Sequence, residues 1–582
     1  MIMKFLQKSF AYLLLIAVAV YLTACTSTKL PESYQVDPEV LEAKGGQVDF
    51  TVTGTIPEKS FHKKAVVEFT PFIKYGEETI QLKKAVLRGE KTEGEGTVIN
   101  SKTGGSFTYT DSFEYTDDMR TAELFVNATV TKGKKIQEFN DIKLADGVIA
   151  TYQGVVHDEK TILAPSGYEK VTIVSETANI YFQQNKSNIN WNLKHNKCDK
   201  SKENMAAMDE FLTKGWEVKD VNIDAWASPE GEITFNNNLA DERATSVNKF
   251  MEKKFQKVNK QIAKEQGVSV SEVEQEVAYN AKGHGEDWDG FMTAVKKSDL
   301  EDKNTIVNVI NSQPDAVKRE QEIRNMTVIY GDVESEILPG LRRAEITVNC
   351  YEPKRTDAEI AELAMTFPDS LTYKELLHAA TLTEDHQVKF NIYKAGFVHE
   401  NRDWKTYNNA AVEGIELENI DEAENLLNQA DALLAGNGKV LNNMGVIASR
   451  REDYTQAESY FLKAQIAGED VSYNLGIIAI QKGEYQKALS YFSSIDCKHN
   501  VGLAQMLSGE MNEAMNNLKC APESCKSFYM LAVYGARTNN AQMVYDYLIK
   551  AFEINPKAKA HAKEDREFLK YFNEPSFQDL VK

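Results

Sequence analysis

Apolar and polar positions follow several different rhythms along this chain. Between residue 46 and about residue 155 they alternate with period two. Val48, Phe50 and Val52 stand against polar neighbours, as do Val67 and Phe69 before Pro71, then Phe107 and Tyr109, then Ala122, Leu124 and Val126. Alternation is what a strand with one buried face requires. Gly94-Glu-Gly96 and Gly104-Gly105 punctuate the runs, so the spacing predicts a β-sandwich over residues 46–160. From 168 to 351 the rhythm is mixed. Residues 171–182 read as a strand, Met205, Met208, Phe211 and Leu212 fall at helical spacing, residues 216–226 read as a second strand, and 238–255 as a second helix. Residues 287–338 are charged and largely helical, so this α/β stretch contains an insertion.

From residue 356 to 582 the rhythm is helical and repeats. A small residue recurs as Ala411, Gly445, Gly476, Gly502 and Ala532. Ala423, Ala457, Ala488 and Ala514 each follow their partner by 12 residues, with Val544 in the fifth place. Four residues further on stand Leu427, Phe461, Phe492, Leu518 and Leu548. Ala423 and Ala457 lie 34 residues apart, the tetratricopeptide period, and the later offsets of 31, 26 and 30 imply shortened turns or helices. Ala551 and Pro556 close the fifth unit as that family's pattern expects. The pattern therefore resembles an all-α tetratricopeptide-repeat solenoid, with residues 356–400 expected to hold one or two degenerate helix pairs. The small residues let paired helices approach, and the Leu or Phe is expected to fill the space between repeats. Such solenoids present a curved groove to peptides or whole proteins. Tyr473, Tyr491, Tyr529 and Tyr545 are candidates to line it.

The N-terminus points to a compartment. Lys4 and Lys8 precede an apolar run over residues 10–24 that ends Leu22-Thr23-Ala24-Cys25. The run is short for a membrane span, and small residues before a Cys mark a processing site. Residues 1–24 resemble a bacterial lipoprotein signal, with Cys25 the lipidated residue and 25–45 a polar tether. Several acyl chains, at about 0.8 kcal/mol per buried methylene, make such attachment durable. No acidic run follows Cys25, which implies the periplasmic leaflet of the outer membrane.

Composition narrows the function classes. With 42% hydrophobic and 26% charged residues the chain is an ordinary globular one. The net charge of −20 argues against nucleic acid and disfavours adhesion to anionic lipid. Cys198, Cys350, Cys497, Cys520 and Cys525 have no zinc-site spacing. Cys520 and Cys525 are candidates for a bridge, with buried free thiols the alternative. His195 and His284 stand apart from partners at ligand spacing, so no metal and no cofactor is expected. No G-x-S-x-G, H-E-x-x-H or phosphate-cradling loop occurs, so no enzyme is expected. Glu301-Asp302 and Glu320 to Glu322 read as solvated helix faces.

The stretch AWASPEGEITFNNNLADERATSV, residues 225–247, carries the most specific signal. Its LADERA and the preceding Asn run resemble the N-x-x-L-S-x-x-R-A signature of OmpA-like peptidoglycan-binding domains. Asn179-Ile-Tyr-Phe, Gly283-His-Gly-Glu286 and Leu341-Arg-Arg-Ala-Glu-Ile resemble three further pieces of that family in the right order, so residues 168–351 are identified as an OmpA-like domain with an insertion. The resemblance implies that Arg243 grips the carboxylate of stem-peptide diaminopimelate while a loop Asp answers its ammonium. Ser228 occupies the Asp position, leaving Glu230 or Glu232 to supply the charge, and Asn236 would order the loop. Trp226 and Phe235 beside it are expected to be core. The whole reads as a periplasmic lipoprotein scaffold linking an outer-membrane protein complex to peptidoglycan. The alternative is an accessory subunit of a barrel-insertion (BAM) or secretion machine whose OmpA-like domain binds protein.

Overall fold

The computed structural model describes residues 28–582 apart from Glu32, Met326 and the side chains of 327–329. Cys25 and the expected signal lie outside the described residues. The chain divides into two compact units, and the division is not sequential. Residues up to Ser166 join Phe367–Lys582 in the first unit, and Gly167–Thr366 forms the second. The second unit is therefore inserted into the first. The helix Asp357–Thr366 belongs to it and not to the repeats.

The first unit opens with ten strands. These are β1 (Tyr34–Asp37), β2 (Val40–Lys44), β3 (Gln47–Ile56), β4 (Ala65–Tyr75), β5 (Glu78–Gln81), β6 (Ala85–Gly89), β7 (Thr97–Ile99), β8 (Gly105–Glu114), β9 (Glu123–Lys132) and β10 (Lys135–Ile149). Hydrogen bonding joins them in the order β1-β3-β2-β10-β9-β4-β6-β7, with β8 beside β3 and β5 beside β4. The period-two reading holds along β3, β4, β8 and β9, whose alternate residues are buried. The tether expected at 25–45 is shorter than that, because β1 and β2 fall within it. Each is only four or five residues long, so neither carries enough alternation to stand out in the sequence.

The helical part of this unit pairs Trp404–Glu416 with Ile420–Leu433, Gly438–Arg450 with Tyr454–Ile466, Ser472–Gln481 with Tyr485–Tyr491, His499–Leu507 with Met511–Cys520, and Cys525–Arg537 with Ala541–Ile554. These five hairpins build a tetratricopeptide-repeat solenoid. The expected small positions are where the chain needs them. A Cβ on Gly445, Gly476 or Gly502 would lie 2.6, 2.2 or 2.6 Å from Phe461, Phe492 or Leu518. The large side chain thus fills the space left by the glycine of its own hairpin, a closer role than filling space between repeats. Seven residues after each small residue comes a left-handed turn, at Glu418, Glu452, Gly483, Gly509 and Asn539. The 26-residue offset follows from the second helix of the third hairpin, only seven residues long, and the offsets of 31 and 30 span the ten-residue helices Ser472–Gln481 and Met511–Cys520. Cys497 and Cys520 are disulfide-bonded across the fourth hairpin and Cys525 is free, so the Cys520–Cys525 pairing is corrected. Cys525 opens the next helix, while Cys497 and Cys520 bracket one hairpin.

The strands and the last three hairpins share one apolar core, in which Leu41, Val48, Tyr115, Val148 and Tyr152 meet Tyr473, Ile477, Leu503 and Met530. Arg537 locks this junction, donating to Glu567 at 2.6 Å and to Glu42 at 2.7 Å.

The second unit is a four-stranded sheet of β11 (Ile173–Tyr181), β12 (Val218–Ala227), β13 (Tyr279–Glu286) and β14 (Arg343–Tyr351) in the order β11-β14-β12-β13. Only β12 and β13 run parallel. The helices Asp199–Thr213 and Ile233–Gln266 contribute Met208, Phe211, Val247 and Met251 to a core against the inward side chains Ile180, Ile223 and Ile346. The stretch between β13 and β14 is helical and carries its own small core around Phe291, Ile306 and Ile337. Among the described residues no helix is long and apolar enough to cross a membrane.

Candidate functional site

Two places gather buried polar groups: the loop after β12 in the second unit, and the concave face of the repeats in the first.

Ser228, Glu230, Asn236 and Arg243 come together as the sequence pattern suggested, and all four are buried. Gly283 makes this possible, since a Cβ there would stand 2.4 Å from Asp241 N and push the long helix off the sheet. Asn236 orders the loop by donating to Glu230 O at 3.0 Å and to Glu286 Oε1 at 2.9 Å. Arg243 is 1% exposed and donates to three backbone carbonyls: Lys186 O from Nε at 3.0 Å, Trp226 O from Nη1 at 2.8 Å and Gln183 O from Nη2 at 3.2 Å. Its guanidinium stacks on Phe182 at 5.1 Å. Burial, with Arg342 adding to it, pulls its pKa down to about 10.

The charge partner of Glu230 is Arg342, which sequence reasoning did not single out. Arg342 Nη2 lies 2.7 Å and Nε 2.8 Å from Glu230 Oε1, which also accepts from Ser228 Oγ at 2.6 Å. Glu230 Oε2 has no hydrogen-bond partner among the described residues. Glu320 is more than a solvated acid, since it accepts from Gly231 N at 2.6 Å and pairs with Arg324 at 2.6 Å. The expectation that Trp226 and Phe235 are core is corrected. Ala225 and Ala227 point inward, so Trp226 faces out between Arg343 at 4.6 Å and a stacked His284 at 5.0 Å, and Phe235 is 47% exposed.

On the repeats, an extended segment from Val155 to Ala164 lies along the concave face, held by a ladder of asparagines. Asn500, Asn474, Asn443 and Asn409 each accept from one backbone N–H of the segment and donate to the carbonyl of the same residue. Val156, Lys160, Ile162 and Ala164 are the residues held, at 2.7 to 3.0 Å. Asn442 and Asn408 add donors to Lys160 O and Ile162 O. The asparagines also bond one another, Asn474 to Asn442 and Asn443 to Asn408, both at 2.9 Å. An amide has the donor and acceptor needed to satisfy both backbone groups of one residue, so the ladder holds a strand whatever its side chains. Side chains of the segment are held as well: Glu159 is buried and accepts from Ser449 Oγ at 2.5 Å. Tyr473 does line this groove, donating to Asp158 Oδ1 at 2.6 Å, whereas Tyr529 bonds Asp565 and Tyr545 bonds Glu574.

The ladder was missed from the sequence, although its signal is there. Asn409, Asn443, Asn474 and Asn500 each stand two residues before the small residue of their repeat. His499 ends the ladder. It is 5% exposed, its Nε2–H donates to Gly154 O at 2.9 Å, and burial drops its pKa to about 4. The unfolded imidazole titrates near 6.5, so between pH 6.5 and 4 only the unfolded chain takes the proton. Stability should therefore fall by about 3 kcal/mol as pH drops through that window. Asp565 and Glu567, whose carboxyls burial pushes up, act in the opposite direction. Urea midpoints of wild type and His499→Gln across the window isolate the imidazole: the difference between the two should shrink toward pH 4.

No family model and no curated protein matches this chain. Among solved structures it is similar to a tetratricopeptide repeat protein from Parabacteroides merdae, at 14% identity over 39% of this chain and 89% of that one, with a TM-score of 0.29. It is also similar to YrrB, described as a TPR protein with an unusual peptide-binding site, at 22% identity over 30% of this chain and 97% of that one, TM-score 0.24. A third is PilW, described as a widely conserved type IV pilus biogenesis factor, at 15% identity over 40% of this chain and all of the other, TM-score 0.26.

Proposed function

We propose that this protein is a non-enzymatic scaffold: a lipoprotein anchored through Cys25 in the periplasmic leaflet of the outer membrane, which holds a protein complex. In this reading the strands form a sandwich-like spacer, and the second unit is an OmpA-like domain that binds protein and has given up peptidoglycan. The observation that carries it is the bonding of Arg243. A zwitterionic diaminopimelate end needs a free guanidinium fork and an opposing carboxylate. Arg243 already directs three donors to backbone carbonyls, Ser228 is uncharged, and Glu230 is paired with Arg342. The repeats support a partner on their outer surface, since the strand segment fills the concave one. Leu433, Leu434, Ile466 and Ile554, at the ends of second helices, are 45 to 87% exposed there.

Purified peptidoglycan separates this reading from wall attachment. Wild-type protein is expected to stay in the supernatant when the wall is sedimented. Saturable co-pelleting, competed by free stem peptide, would restore the wall link and remove the protein-only reading of the second unit.

A further inference from the structure

The chain is strongly acidic overall, yet one end of its ten-stranded sheet is basic. At that end β9 finishes, β10 starts and β4 begins. The β9–β10 turn supplies Lys132, Lys134 and Lys135, and Lys132 lies opposite Ala65 in the strand register. That register brings up the preceding loop with Lys63 and Lys64, and Lys91 N–H donates to Lys63 O at 2.8 Å. The crowding of cations is felt by His62, whose pKa is lowered by desolvation and then by Lys132, Lys63 and Lys64. Glu58 sits 3.7 Å from Lys59 and Glu90 accepts from Ser101 Oγ at 2.6 Å, while Glu93, Glu95 and Glu138 are exposed around the same end and are outnumbered by its lysines. Beside the lysines, at the hairpin tip, Ile136 is 67% exposed.

The chain also enters here. Thr28 Oγ1 accepts from His62 N at 3.0 Å, and Lys29 N–H donates to Ser60 O at 2.7 Å. Cys25 is three residues upstream in the sequence.

We propose that this lysine-rich end, centred on the β9–β10 hairpin, docks on an anionic lipid surface, with Ile136 entering the headgroup layer. Lysine ammonium groups reach lipid phosphates while their stems lie along the apolar boundary, and an exposed isoleucine among them adds apolar contact with that boundary. The place of the anchor at this end rests on the lipoprotein reading. The lysines and the isoleucine do not depend on it.

The test uses the mature chain from residue 25 carrying Cys25→Ser, so that no acyl chain is present. It is expected to co-sediment with vesicles of phosphatidylglycerol and phosphatidylethanolamine, to ignore pure phosphatidylcholine, and to release as salt is raised. Each lysine near an anionic surface contributes roughly fivefold, so K63E/K64E/K134E/K135E should weaken partitioning by at least about 100-fold. All four side chains are exposed, and an unchanged melting temperature shows the variant folded. If it melts early, Lys134→Ala with Lys135→Ala on the turn alone serves in its place, with an expected loss of roughly 25-fold. No vesicle binding, equal binding to both lipids, or full binding by the charge-altered variants overturns the proposal. Mass spectrometry of Cys25 in the native protein reports separately on the anchor: a free thiol there would remove the lipoprotein reading and leave the vesicle result standing.

Discussion

Replacing Asn443 and Asn474 together with alanine is expected to destabilise the first unit by about 2–6 kcal/mol. Each amide satisfies both backbone groups of one strand residue, Ile162 or Lys160, and neither asparagine is more than 1% exposed. An alanine leaves the segment's N–H without its partner, at about 1–3 kcal/mol where water cannot enter, while the carbonyl keeps its bond from Asn442 or Asn408. The partner asparagines lose bonds too, because Asn474 also donates to Asn442 and Asn443 to Asn408. Such neighbours couple, so the double variant should differ from the sum of the singles. Two measurements check this: the urea midpoint followed by circular dichroism at helical wavelengths, and limited proteolysis, which should open first between residues 155 and 166. Cleavage at the wild-type rate and an unchanged midpoint would mean that the segment does not hold the unit together.

Arg243→Ala is expected to cost the second unit about 3–5 kcal/mol. The substitution takes the arginine donors from the carbonyls of Lys186, Trp226 and Gln183, leaving Gln183 O with the Lys186 N–H, and removes the group stacked on Phe182. Arg243→Lys keeps the charge, but a single ammonium cannot reach three carbonyls in a planar fan, so it should recover only part of the loss. Trp191, Trp216, Trp226 and Trp288 lie in this unit and Trp404 alone in the other, which makes tryptophan fluorescence a reporter of the second unit within the full chain. A midpoint within about 0.5 kcal/mol of wild type would show that Arg243 is a surface-like residue free for a ligand. One practical consequence concerns wall assays: lost binding by Arg243→Ala would report unfolding as readily as a lost contact. Wild-type sedimentation is the cleaner experiment.

Much of this architecture could be read from residue spacing. Alternation located β3, β4, β8 and β9 because each buries one face over nine or more residues. The small residue and its partner 12 positions later, Ala in four hairpins and Val544 in the fifth, located all five, because close helix packing tolerates little else at those points. The shared left-handed turn seven residues on was hidden, since Glu418, Glu452 and Asn539 occupy it where Gly483 and Gly509 advertise it. At the loop after β12, the motif brought forward Ser228, Glu230, Asn236 and Arg243. It said nothing of Arg342, which arrives from the start of β14 more than a hundred residues later.

The sequence by itself determined the repeats, the strand-rich start and the mixed middle stretch, because those depend on local periodicity. Only the tertiary structure decided what the buried polar groups do. Residues 155–164 have no periodicity of their own and become ordered by asparagines as many as 344 residues away. Arg243 is a satisfied core residue because three distant carbonyls converge on it. The basic end of the sheet exists only once residues 28–29, 59–64, 91 and 132–135 meet, and an average over the whole chain conceals it. Hydrogen-bond satisfaction and local charge depend on which groups share a few ångströms, and that is set by topology and not by composition.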